Sequence, residues 1–147
     1  MKITNKTFKY QTNKIYDFID VTDDVESFIK RSRIKDGLVN IQILHTSAAL
    51  IANENEPLLL EDIKQNLENT ASSKIDYKHD DFSIRTVNLC DNECKNGHSH
   101  CKAIHLLPSI TFNLVKGKLQ LGRWQRVMLV ELDRARQRKI QVQIIGK

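Results

Sequence analysis

The sequence predicts a single α+β domain over residues 1–147, an antiparallel β-sandwich with flanking helices. Three observations lead there. Short stretches alternate apolar and polar side chains, most clearly at 38–45 and 137–145. Stretches with helical spacing separate them. Residues 119–131 are apolar on both faces, which places a strand inside a sandwich or at a subunit interface. At 147 residues the chain is long enough for one core and too short for two.

In chain order, residues 3–10 and 15–21 read as strands joined by the polar turn 11–14. Thr22-Asp23-Asp24 opens a helix, with Asp23 and Glu26 at capping-box spacing. Its stripe is Val25, Phe28 and Ile29, and Asp36-Gly37 ends it. Along 38–45, Val39, Ile41 and Ile43 share a face on which His45 comes next, so His45 points inward where the strand leaves the sheet.

The segment 46–56 then reads as a loop, with Thr46, Ser47 and small residues allowing close approach by a ligand. Asn53 and Glu54 add an amide and a carboxylate; the same residues also suit an ordinary helix start before Pro57. A helix at 57–67 buries Leu59 or Leu60, Ile63 and Leu67. Residues 68–97 are polar, with a short strand expected at 83–89. Asn96 N-caps a histidine-bearing helix that Pro108 stops. There His100, Ala103, Ile104 and Leu107 fall on one face, turning His100 inward. The strand 110–115, the turn 116–118 and the strand 119–131 follow. A turn at 133–136 leads to 137–145, where Arg138 continues the inward row Ile140, Val142, Ile144. Most of the strands are expected to connect as hairpins.

Composition excludes some functions. No apolar run nears the roughly 20 residues that span a bilayer, and residues 1–6 lack the apolar core of a signal peptide, so cytoplasmic residence is expected. From Lys116 onward nine basic residues face two acidic ones, a local +7, while the preceding part carries −2. With Trp124 the only aromatic among those basic residues and no recognised module, an anionic small ligand suits this charge better than nucleic acid.

The motifs are His45-Thr46-Ser47-Ala48-Ala49, Asn53-Glu54, Tyr77-x-His79, Asn96-x-His98-Ser99-His100, Gly117-x-Leu119-x-Leu121-Gly122-x-Trp124-Gln125 and Glu131-x-Asp133. In this order and spacing they resemble the YjbQ family across nearly the whole chain. The sequence departs from the family's usual pattern at Gly97, Pro108, Arg123 and the turn Asp133-Arg134-Ala135-Arg136. The resemblance implies a β-sandwich with flanking helices, assembly as a homotrimer, and thiamine phosphate synthase activity secondary to another reaction. It also implies a divalent metal, zinc or magnesium, in some members; His79, His98 and His100 are the candidate ligands.

Three functions are open on this sequence. An enzyme acting on a phosphorylated small molecule would use His45, Glu54 and His100 for acid–base work. Thr46, Ser47, Asn53, Asn96, Gln125 and Arg138 would contact the ligand, and the helix start at 96–100 would meet its phosphate. In this scheme His45 and Glu54 meet across a short loop. A structural zinc module could form from Cys90, Cys94, His98 and His100, although His-x-His is tighter than usual. A trimeric binding protein could hold a ligand without turning it over.

Overall fold

A computed structural model describes residues 1–147. It contains β1 (Lys2–Gln11), β2 (Phe18–Asp20), α1 (Thr22–Ser32), β3 (Gly37–Ile43), β4 (Ala48–Glu54) and α2 (Pro57–Thr70). A one-turn 3-10 helix (Lys78–Asp80), α3 (Gly97–Ala103), β5 (Ser109–Val115), β6 (Lys118–Leu119), β7 (Gln125–Glu131) and β8 (Gln137–Gly146) complete it.

Two antiparallel sheets form, ordered β1-β8-β3-β5-β6 and β2-β7-β4. The main core lies between them: Val39, Ile41 and Ile43 of β3 and Ile140, Val142 and Ile144 of β8 face Leu50, Val127 and Leu129 of the smaller sheet. Val25, Phe28 and Ile29 of α1 join this core. A second cluster, containing Ala49, Val130, Leu132 and Leu67, seats α2 and α3 on the other face of the smaller sheet. The fold is therefore a sandwich with a helical layer outside one sheet. This explains the two-sided apolar character of β7. Its residues 127–130 are all inaccessible to solvent, because one face meets the larger sheet and the other meets the helices.

Several expectations need correction. The first two strands are not a hairpin: β1 pairs with β8 over its whole length, and β2 is a three-residue strand on β7. Only β5 and β6 form a hairpin, so the topology is dominated by pairings between distant segments. No side chain caps α1, which stops at Arg33 in the left-handed region (φ 61°). Gly37 instead serves the sheet. It lies opposite Gly146, and a Cβ there would sit 2.0 Å from the carbonyl oxygen of Ile145.

The segment read as a ligand loop before Pro57 is mostly strand β4, paired along β7. Residues 83–89 form no strand. Residues 119–131 are interrupted at Gly122, where Gly122 N–H donates to Gln125 Oε1 (2.7 Å) and Gln125 N–H to Gly122 O (3.0 Å). Trp124 in that break is 61% exposed, with Arg123 stacked over its ring, and forms no part of the apolar face. No helix is long and apolar enough to cross a membrane.

Leu129 is wholly buried on the sandwich face of β7. Leu129→Ala is expected to cost about 2–5 kcal/mol in denaturant unfolding, from lost apolar burial plus the cavity left behind. A loss under about 1 kcal/mol would contradict a close-packed interface between the sheets.

Candidate functional site

At one end of the smaller sheet, buried Glu131 closes β7 and buried Arg138 stands near the start of β8. Arg138 Nε donates to Glu131 Oε2 at 2.7 Å, and its Nη2 donates to Oε1 in a fork-shaped contact. The same Nη2 donates to the carbonyl and hydroxyl oxygens of Ser47 (3.1 and 3.2 Å). Thr12 Oγ1 and the Asp133 N–H also donate to Glu131 (2.8 and 3.0 Å). Arg138 and Ser47 were expected to touch a ligand. Both are buried and bonded to each other; Arg138 is engaged through Nε and Nη2, which leaves its Nη1 without a partner in the chain.

His45 follows β3 above this pair and is half-buried. Its Nε2 accepts the backbone N–H of Lys139 at 2.8 Å, so the neutral ring carries its proton on Nδ1. Burial first, then the charges of Arg138, Arg136 and Lys139, hold its pKa below the usual histidine value, with Glu131 opposing. The ring is held as a donor. A general-base role at Nε2 would require breaking its bond to Lys139.

The histidine helix α3 differs from its expected form. It ends at Ala103, and Ile104 and Leu107 are 79% and 51% exposed rather than buried. Asn96 makes no side-chain cap, and its Oδ1 is buried without a partner. Asp80, from the 3-10 turn, takes that place: its Oδ1 accepts the N–H groups of Asn96 and Gly97, each at 2.9 Å. A carboxylate therefore already occupies the helix start that was expected to meet phosphate. Gly97 is required here, since a Cβ would come within 2.5 Å of the Tyr77 side chain.

His100 and His79 meet edge to face, with ring centroids 4.7 Å apart. Burial and then the neighbouring His79 keep the His100 pKa below the usual value. His98, two residues before His100, faces elsewhere: its Nδ1 is 3.1 Å from Lys102 Nζ. Lys102 is wholly buried and 3.4 Å from Glu68 Oε2. Burial raises the Glu68 pKa, but hydrogen bonds from Tyr16 and Ser73 and the Lys102 charge outweigh it, leaving it lowered to about 2. Sequence reading missed this cluster, because a lysine between a cysteine and an alanine on a polar helix gives no sign of burial.

His45 and His100 line one cleft of about 500 Å³, with Thr46, Ala48, Ala49 and Ile104 among its walls. Another hollow of about 450 Å³, walled by Asp76, Lys78, Asp81 and Lys95, holds no imidazole. Of the four candidate histidines, His45 and His100 share the cleft, His79 backs His100, and His98 is turned to Lys102. Asn53, Glu54 and Gln125 lie apart, at the opposite end of the smaller sheet, with Glu54 paired to Gln125. The extended strand β4, on the order of 20 Å long, separates Glu54 from the His45 end. The expected meeting of His45 and Glu54 does not occur within the chain.

The residues were also tested against a divalent ion. His79 and His100 form a pair, and His79 Nε2 is buried without a partner. A third ligand is lacking: no three His, Cys, Asp or Glu groups converge, and His98 presents Nδ1 to an ammonium. Cys90 and Cys94 are exposed and join no such cluster. Neither the three-histidine set nor the Cys/His set fits a metal in this chain.

Fold and site together define a small two-sheet α+β protein with a histidine-lined cleft at one end of the sandwich. Residues 6–147 match the family described as UPF0047 protein YjbQ-like, and the chain belongs to that family. It is 33% identical to a UPF0047 protein of Methanothermobacter thermautotrophicus, covering 100% of this chain and 95% of that one. It is 28% identical to the UPF0047 protein YugU of Bacillus subtilis, covering 96% and 98%. A crystal structure from Sulfolobus solfataricus, described as a YbjQ-like protein of unknown function, superimposes with a TM-score of 0.87 at 35% identity, covering 99% of each chain. A YjbQ/UPF0047 structure from Clostridium acetobutylicum gives 0.82 at 31% identity, covering 95% of this chain and 99% of that one.

Two outcomes follow from the buried charges. Arg138→Met leaves the Glu131 carboxylate buried without its counter-charge and is expected to cost about 3–5 kcal/mol in chemical unfolding. Adding Glu131→Gln is expected to recover part of that loss. A cost below about 1 kcal/mol for the single variant would show that the pair does not hold the sheets together. Glu68 titrates from the ordinary 4.5 when unfolded and about 2 when folded. Its stabilising contribution is therefore complete above about 4.5 and is lost as pH falls toward 2. Glu68→Gln is expected to flatten the stability curve in that window relative to wild type. Parallel curves for the two proteins would remove Glu68 as the source.

Proposed function

We propose that this protein is an enzyme that binds a phosphorylated small molecule in the cleft between His45 and His100, with thiamine phosphate synthase-like transfer as the candidate reaction. The observation that carries this reading is the electrostatic setting of His45. Burial holds its ring neutral, helped by the cations Arg138, Arg136 and Lys139 against the opposing Glu131, and the same cations favour an anion beside it. The ring's free Nδ1–H adds a neutral donor, and a cleft of about 500 Å³ is of small-molecule size.

The geometry divides the chemistry differently from the sequence. His45 donates to oxygens on which negative charge develops as a phosphate or pyrophosphate group departs. Lys139 stabilises the same charge from the rim, with Arg136 beside it in an ion pair with Asp133 (2.6 Å). His100, whose ring nitrogens have no partner in the chain and whose pKa is lowered, is the group free to accept a proton at neutral pH. Cytoplasmic residence and self-association as a trimer complete the proposal. Exposed Ile104 in the cleft wall, with exposed Leu107 and Leu44 next in sequence to lining residues, supplies apolar surface for a neighbouring copy.

A second reading, a trimeric protein that binds a ligand without turning it over, is favoured by one observation: His45 is held as a donor by Lys139 and not as a base.

The test is thiamine phosphate formation and melting temperature measured on the same variants. His100→Ala is expected to lower turnover by roughly 10²–10⁴-fold with the melting temperature kept, as befits a half-exposed general base. Full activity in His100→Ala would exclude His100 from the chemistry. Binding of thiamine phosphate without turnover by wild type would favour the second reading. Glu54→Gln is expected to remain active. Inactivity with an intact fold would mean that Glu54 reaches the cleft of another copy. Sedimentation at micromolar concentration is expected to show a trimer, and a stable monomer would remove that part of the proposal.

A further inference from the structure

Lys102 is the one buried lysine of the chain, and its surroundings fix what His98 can do. Its Nζ lies 3.1 Å from His98 Nδ1, one turn earlier on the same helix face. It is also 3.4 Å from Glu68 Oε2 and 5.4 Å from the centroid of the Tyr16 ring, which it faces. Burial lowers the Lys102 pKa, and the Glu68 carboxylate and the Tyr16 ring face act against it to keep the ammonium form. An ammonium has three donors and no lone pair, so Nδ1 must be the acceptor. The neutral His98 ring then carries its proton on Nε2.

We propose that Lys102 is a positioning residue that fixes His98 as an Nε2–H hydrogen-bond donor, removing it from the metal-ligating set that the sequence suggested. A metal-bound histidine needs the opposite arrangement: a lone pair toward the ion and an N–H on the far nitrogen donating to an acceptor. Here the far nitrogen faces a donor. Nε2 engages no partner in the chain and is not enclosed. It offers one neutral N–H to an oxygen acceptor. His45 is built on the same plan, with the Lys139 backbone N–H in place of the ammonium. The proposal rests on the small-molecule reading only for what receives the bond.

Imidazole ¹⁵N–¹H correlation spectra of the ¹⁵N-labelled full-length protein test this, with His98→Gln assigning the signal. Wild type and Lys102→Arg are expected to show His98 protonated at Nε2. Lys102→Met is expected to give a mixture of tautomers. Wild-type His98 protonated at Nδ1, or a Lys102→Met spectrum identical to wild type, overturns the proposal. If Lys102→Met does not fold, the wild-type and Lys102→Arg spectra decide. Calorimetric titration with Zn²⁺ alone gives the second readout. Wild type and His98→Ala are expected to behave alike, with or without measurable heat. A fall in Zn²⁺ affinity on the order of tenfold or more in His98→Ala overturns the proposal. Neither readout uses a substrate, so failure here is distinguishable from failure of the enzymatic reading.

Discussion

The buried Glu131–Arg138 pair is the contact on which both sheets depend. Glu131 ends the central strand of the smaller sheet, and Arg138 stands near the start of β8, between β1 and β3 in the larger one. Thr12 beyond β1 and Ser47 before β4 attach to the same two side chains, so four chain segments converge on one ion pair. Two charges removed from water are costly unless geometry and further hydrogen bonds compensate them. Here the fork contact, a hydroxyl, a backbone N–H and a carbonyl do so. The cleft lies just above. His45 feels the field of this pair while its ring is held by the adjacent backbone of Lys139, so the anchor of the sandwich and the electrostatics of the site share their parts.

Much of the fold was legible because it follows period-two and period-3.6 burial. Val39, Ile41 and Ile43, and Ile140, Val142 and Ile144, lie where alternation placed them, and Val25, Phe28 and Ile29 face the core from α1. Strand β4 was not legible. Its sequence of small residues followed by Asn53 and Glu54 resembles a loop before a helix, and only pairing with β7 makes it a strand. Connectivity was misread for a related reason. Polar turns suggest neighbours in sequence, whereas register is set by partners more than a hundred residues away, as in Thr7 opposite Gln141.

The site was legible in part. His45 and Arg138 lie at the ends of inward rows, and the strand period placed both correctly. The helix bearing His98 and His100 was misjudged because a helical stripe was drawn through Ile104 and Leu107, beyond the point where the helix stops. The buried face carries Ser99 and Lys102 instead: Ser99 bonds the nearby Asn96 carbonyl, and Lys102 is held by Glu68 and Tyr16 on distant segments. Long-range electrostatic compensation of this kind has no local signature. The same is true of Asp80, which caps α3 from sixteen residues away.

The order of strands also governs how this chain is made. Strand β7 lies between β2 and β4, and β8 lies between β1 and β3. Each sheet is thus completed by a strand from residues 125–146. At 5–20 residues per second, the first strand waits roughly 7–27 s for its partner to be synthesised. Until then β3 and β4 each lack a neighbour, and no apolar face of the sandwich can close. Folding of this topology is therefore largely post-translational and slow in the manner of chains with high contact order. The nascent chain is a natural client for holding chaperones.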